Sequence, residues 1–147
     1  MIVSYDIDGV LAEGPPPSEK KWGRMNKQER DDRKRKLVYY YRNARKLLEP
    51  EEPFFIAVSA RKFEPDVYAA TKLWMDEHFG KRVVDIYLLD KSRSVANAAA
   101  FKVSILKANG VQIHYEDNKK VLKLMKLMHP DVQYYFWKEG MEKPLLY

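Results

Sequence analysis

The sequence contains no cysteine, which excludes thiol catalysis, disulfide frameworks and cysteine-ligated zinc. It also lacks any apolar run approaching the roughly 20 residues that a membrane-spanning helix needs. It opens on MIVSYDID rather than on a basic, then apolar, then small-residue leader, so the expectation is a soluble, unprocessed, cytoplasmic protein with no membrane partner. There is no internal repeat and no low-complexity tract. What is present is an ordinary globular composition: 147 residues, 46% hydrophobic and 33% charged. That length fits one domain over 1–147, with a core that needs no covalent or metal staple.

The net charge of +6 is unevenly placed. Between Ser18 and Lys36 nine lysines and arginines face four acids, a local net of +5, and the rest of the chain is close to neutral. Lys20, Lys21, Arg24, Lys27, Arg33, Lys34, Arg35 and Lys36 are therefore candidates for a polyanion-binding surface, with a solvated helix face as the competing reading. The segment opens with GPPP, a turn or extended stretch, and residues 12–36 read as an insertion standing over the end of the first strand.

Outside that insertion, apolar runs alternate with helical patterns. IVSY stops at DIDG, FFIAV (54–58) ends in Ser59, VVDIYLL (83–89) in Asp90, VQIHY (111–115) in Glu116 and Asp117, and VQYYFW (132–137) in Lys138. Asn26 and Glu29 have capping-box spacing ahead of a periodic pattern, Leu37, Tyr40, Tyr41, Ala44, Leu47 and Leu48, that runs to Pro50. Pro65 and Gly80 bracket a second helix, Ser94 and Gly110 a third, and Asp117 or Asn118 caps a fourth ahead of Pro130. Strands alternating with helices of this length imply right-handed crossovers and a parallel sheet. The expected fold class is α/β, a three-layer α/β/α Rossmann-like parallel sheet of about five strands, whose ligands bind beyond the carboxyl ends of the strands.

Asp6 and Asp8 follow the first strand one residue apart, and two carboxylates so placed raise one another's pKa unless a cation lies between them. Magnesium removes that penalty, since it takes oxygen ligands and is typically held by one or two carboxylates plus a substrate phosphate. Asp6, Asp8 and Asp117, at neighbouring strand ends, can supply such ligands; a simple Asp-Gly turn at DIDG is the alternative. Lys102 falls inside the apolar stripe of the third helix, where an ammonium needs a fixed anionic partner, with Lys91 as its rival. His78, His114 and His129 are scattered and read as packing or surface residues.

These residues together resemble the motifs of the haloacid dehalogenase superfamily of phosphatases. MIVSYDIDGVL resembles the first motif, FFIAVSAR with Ser59 the second, Lys102 the third, and YEDN with Asp117 the fourth, in order along nearly the whole chain outside the insertion. The resemblance implies an HAD-like fold in which Asp6 is a nucleophile forming an aspartyl-phosphate and Asp8 is a general acid and base. It implies Mg2+ held by Asp6, the backbone carbonyl of Asp8 and Asp117, with Glu116 behind them or as an alternative ligand. Phosphate oxygens are then met by Ser59, by backbone N–H groups nearby including that of Ala60, and by Lys102.

Within that superfamily, VSARKFEPDVYAATKLWMDEHFG resembles the phosphatase domains of polynucleotide kinase-phosphatases. Arg61 would be the matching phosphate-side arginine, and Thr71 and Trp74 fit a Thr-x-x-Trp pattern, although Trp74 fits a core position on its helix better. Asn118 departs from that pattern, and no GxxxxGK[ST] loop occurs, so no kinase activity is expected. Only about 25 residues are left for a cap, giving a nearly capless, open site suited to a macromolecular substrate or to closure by a neighbouring subunit. Three readings follow: a magnesium-dependent phosphatase of nucleic-acid ends (3′-phosphate) or nucleotides guided by the basic insertion; a phosphatase of a small phosphorylated metabolite closed by homo-oligomerisation; and a nucleic-acid-binding protein on a retired phosphatase scaffold.

Overall fold

A computed structural model describes all 147 residues. The chain is α/β, a six-stranded and mostly parallel sheet with four helices. Its strands are β1 (Val3–Tyr5), β2 (Phe55–Lys62), β3 (Val83–Leu89), β4 (Ile113–Glu116), β5 (Gln133–Phe136) and β6 (Leu145–Leu146). The sheet order is β3-β2-β1-β4-β5-β6, with β1 to β5 parallel and β6 antiparallel to β5. The two-residue β6 is a strand beyond the five the sequence indicates. The helices are α1 (Lys27–Asn43), α2 (Pro65–Phe79), α3 (Val95–Asn109) and α4 (Lys119–Met128), and none is long and apolar enough to cross a membrane.

Local chemistry sets most helix ends. Asn26 and Glu29 form the reciprocal capping box of α1, Pro65 opens α2, and the Ser94 and Asn118 side chains accept backbone N–H groups at the starts of α3 and α4. Gly110 closes α3 in the left-handed conformation at φ +64°, which glycine enters without a Cβ penalty. One expected helix is shorter than its pattern. The periodicity of Ala44, Leu47 and Leu48 continues that of α1, yet the helix stops at Asn43. The following residues instead run beside Val10–Glu13, with Leu47 N–H on Leu11 O (2.8 Å), Leu48 N–H on Val10 O (3.0 Å) and Glu13 N–H on Arg45 O (2.9 Å). Pairing the backbone of the segment after β1 prevails here over helical propensity.

Residues 12–36 do not form one unit: the second half is the opening of α1, continuous with the part that packs on the core. β2 likewise runs past Ser59 to Lys62, through a register irregularity between those residues. Alternate residues of β2 feed two separate core clusters. Phe55 and Ala57 join Trp74, Met75 and Phe79 of α2, while Ile56 and Val58 join α3 and α4 through Ala98, Val103, Leu122 and Met125. Trp74 is a core residue and donates from Nε1 to Ala44 O (2.7 Å). All three residues of β1 are buried, as a central parallel strand requires. Across β1, β4 and β5, Tyr5, Tyr115 and Tyr135 stack as register neighbours, with ring centroids 4.4 and 5.2 Å apart, stiffening the sheet just below the strand ends.

Candidate active site

The parallel register brings the carboxyl ends of β1, β2 and β4 to one level. Tyr5 is opposite Ala57 on one side and Tyr115 on the other, and Asp6 N–H still bonds to Tyr115 O (2.9 Å). Asp6 is consequently a neighbour of Glu116 and Asp117, whose carboxylate oxygens with its own lie within 4.8 Å of one another. Above them opens a cavity of about 380 Å³, lined by Asp6, Asp8, Ser59, Ala60, Lys102, Glu116 and Asp117 from the expected set, and by Arg93, Ser94 and Asn118. Gly9 makes this closeness feasible: its φ is +86°, and a Cβ there would lie 2.0 Å from Asp117 Oδ2.

Lys102 crosses from α3 into this acidic group with only 2% of its surface exposed. Its Nζ donates to Asp6 Oδ1 (3.1 Å) and Glu116 Oε1 (2.6 Å), so the partner required by its place in an apolar stripe is a pair of carboxylates. Burial alone would discharge the ammonium, but the two carboxylates outweigh it and raise the pKa above the usual lysine range. Glu116 is pushed upward by burial despite Lys102. Asp6 is raised to about 8 by burial and then by the charge of Glu116. Asp117 is raised to about 8 by burial and then by the charge of Asp6. Three carboxylates and one ammonium thus leave an excess of negative charge in a poorly hydrated place, which is what drives Asp6 and Asp117 upward toward their protonated forms.

Donors that are all oxygen, an uncompensated buried charge and a glycine gap that admits Asp117 together fit a small hard cation such as Mg2+.

His114 is fully buried beneath the site. Its Nδ1 is 2.7 Å from Ser4 Oγ and its Nε2 3.1 Å from Glu116 Oε1, and burial and then the Lys102 charge hold it neutral, well below the usual histidine pKa. With Nε2 carrying the proton toward Glu116 and Nδ1 accepting from Ser4, the chain Ser4–His114–Glu116–Lys102–Asp6 is fully hydrogen-bonded. The sequence reading of His114 as packing or surface misses this. The available signal is its alternation along β4 with Glu116, two residues on and facing the same way.

Asp8 has a different environment. Arg61 Nε and Nη2 donate to its two oxygens (3.0 and 2.8 Å), while Nη1 donates to Thr71 Oγ1 (2.9 Å) and the guanidinium lies 3.9 Å from the Tyr41 ring centroid. Arg61 is buried behind Asp8 rather than lining the cavity, fixed by α1, α2 and β2 at once. Ser59 is also buried, and its Oγ accepts the Arg61 N–H (3.0 Å).

The basic residues are divided. Lys20, Lys21 and Arg24 precede α1; Lys27, Arg33, Lys34, Arg35 and Lys36 lie on it. Lys20 pairs with Glu29 (3.0 Å), Lys34 with Glu64 (3.6 Å) and Arg35 with Asp32, and Arg33 donates to Pro16 O (3.1 Å). Lys21, Arg24, Lys27 and Lys36 have no ion pair, and neither does Arg33, whose partner is a neutral carbonyl, so five of these eight cations remain unneutralised.

A scan against protein-family models and a search of curated proteins both return no match to this chain.

Proposed function

We propose that the protein is a Mg2+-dependent phosphatase that hydrolyses a phosphate monoester through an aspartyl-phosphate, on the three-layer HAD-like architecture that its motifs resemble. The observation that carries the reading is the junction of Asp6 with Lys102 and Asp117 at the floor of a cavity also lined by Asp8 and Ser59. A carboxylate bonded to a buried ammonium, beside further carboxylates in need of a cation, has the equipment of a nucleophile toward phosphorus.

In this reading Asp6, Asp117 and the backbone carbonyl of Asp8 hold Mg2+, which when bound neutralises phosphoryl oxygens. An Asp6 oxygen attacks phosphorus, the bond to the leaving oxygen breaks, and water then releases phosphate from Asp6. Lys102 contributes the positive charge that remains throughout. Asp8, oriented through both oxygens by Arg61, gives a proton to the leaving oxygen in the first step and takes one from the hydrolytic water in the second. Ser59 and the adjoining backbone, Ala60 included, face the transferred group.

The substrate class supported best is a nucleotide or nucleic-acid end, because the site opens without a cap and five cations of the basic segment form no ion pair; their three neutralised neighbours make that segment a weaker guide than its composition indicates. The test is a panel of phosphate esters, nucleotides, sugar phosphates and 3′- or 5′-phosphorylated oligonucleotides, with Mg2+ and with excess chelator. Wild-type protein should release phosphate only with Mg2+, and Asp6→Asn, folded by circular dichroism, should release none. Turnover by folded Asp6→Asn refutes the mechanism.

A further inference from the structure

Of the cations around the cavity, Lys102 is bonded to Asp6 and Glu116, and Arg61 lies buried against Asp8 and Thr71. Arg93 differs from both: it lines the same cavity and is exposed, and it takes part in no hydrogen bond or ion pair. Its backbone is nevertheless fixed. Asn97 Nδ2 donates to Ser92 O (2.8 Å) and to Ser92 Oγ (3.3 Å), and Ser94 Oγ accepts the Asn97 N–H (3.0 Å), so both neighbours of Arg93 are stapled to α3. Asn118 adds a second donor at the cavity, since its Oδ1 takes the N–H groups of Lys120 and Val121 (3.0 and 3.2 Å) and its Nδ2 has no partner.

The cavity is thus polarised, with carboxylates at the Asp6 end and a free guanidinium elsewhere on its wall. At about 380 Å³ it is in the range of sites that enclose a whole small ligand rather than one phosphoryl group. We infer that Arg93, with Asn118, is a subsite for a second phosphate on the substrate, distinct from the phosphoryl group that reacts at Asp6. A guanidinium matches phosphate oxygens in a bidentate fork, and a charge-assisted pair of this kind discriminates strongly between a ligand that has the group and one that lacks it. The inference rests on the phosphatase reading and narrows its substrate to a bisphosphorylated molecule, whether a nucleotide or a sugar.

The experiment compares wild type, R93A and R93K on adenosine 3′,5′-bisphosphate against adenosine 3′-monophosphate, and on glucose 1,6-bisphosphate against glucose 1-phosphate. Both kcat/KM and calorimetric Kd are measured with Mg2+. Wild type should prefer one bisphosphate over its monophosphate, and the pair showing the preference identifies the source of the second group. R93A should reduce that preference ratio about ten- to a hundredfold in both readouts, and R93K should restore part of it. A ratio unchanged in R93A, or no preference in wild type, overturns the subsite. Absence of turnover with every ester overturns the phosphatase reading instead, and the Kd ratio then decides the subsite by itself.

Discussion

Lys102→Met removes the ammonium and keeps most of the side-chain volume. The wild-type Nζ is the only cation bonded to Asp6 and Glu116, at 3.1 and 2.6 Å with all three side chains nearly inaccessible. Deleting one partner of such a buried group leaves uncompensated charge and costs about 3–5 kcal/mol. For a chain of this size that corresponds to a fall in Tm of roughly 6–20 °C. The cost should depend on pH in a defined direction. At pH 8.5 Asp6, raised to about 8, is mostly ionised and the variant leaves its charge unpaired; at pH 5.5 Asp6 holds its proton, and the wild-type ammonium has lost one of its two counter-charges. The Tm difference should therefore be largest at the alkaline end and shrink on acidification, as followed by differential scanning fluorimetry in chelator. Mg2+ should recover part of the loss at pH 8.5 by supplying a cation to the same carboxylates. A variant that melts within 2 °C of wild type at both pH values would refute the idea that this network holds real charge.

Three further outcomes are expected. Gly9→Ala places a Cβ where Asp117 Oδ2 now stands, at a φ of +86°, so Asp117 is displaced at a conformational cost of about 1 kcal/mol; calorimetry should give Mg2+ affinity at least tenfold weaker. Asp8→Asn should slow hydrolysis of an alkyl phosphate roughly 10²- to 10⁴-fold and that of p-nitrophenyl phosphate less at the bond-breaking step, because a nitrophenolate leaves without a proton; equal loss in single-turnover measurements on both would count against the acid role. In chelator, Asp6 and Asp117 titrate near 8 against about 3.9 unfolded, so the folded state holds the extra protons and loses that stability as pH rises toward 8. Over about pH 6.5 to 8 the unfolded His114, with a pKa near 6.5, takes up at most about half a proton, against the roughly one to two that the folded carboxylates release on unfolding, so Tm should still fall across that window, and Mg2+ should flatten the fall.

The parts of the fold that the sequence reveals are those with one-dimensional signals. β-Branched runs ending in polar residues mark β1 to β5, and Asn26, Pro65, Ser94, Asn118 and Gly110 mark helix ends by their own hydrogen-bonding and φ preferences. Ala44–Leu48 escapes because its spacing fits a helix equally well, and the competing partner, Val10–Glu13, lies more than 30 residues away in sequence. At the site, Asp6, Asp8, Ser59 and Asp117 are visible as polar residues following strands, and Lys102 as a charge in the wrong place on a helix. The grip of Arg61 on Asp8 and the bond of His114 to Ser4 join residues 53 and 110 positions apart, and no local pattern encodes such pairs. Arg93 follows β3 as the other site residues follow their strands, so the rule that found them applies to it too.

The sheet order has a consequence for how the molecule reaches its working form. Asp6, the proposed nucleophile, directly follows the first strand, but that strand lies in the middle of the sheet, and its second neighbour, β4, comes after more than 100 further residues. Lys102 is 96 positions from Asp6. Closing such distant contacts is entropically demanding and slow compared with forming local ones. During synthesis Asp6 must therefore wait, unpaired, until the last third of the chain emerges, and no shorter fragment holds the complete charge network. The capacity for chemistry should appear late and all at once in refolding, after helix content has recovered.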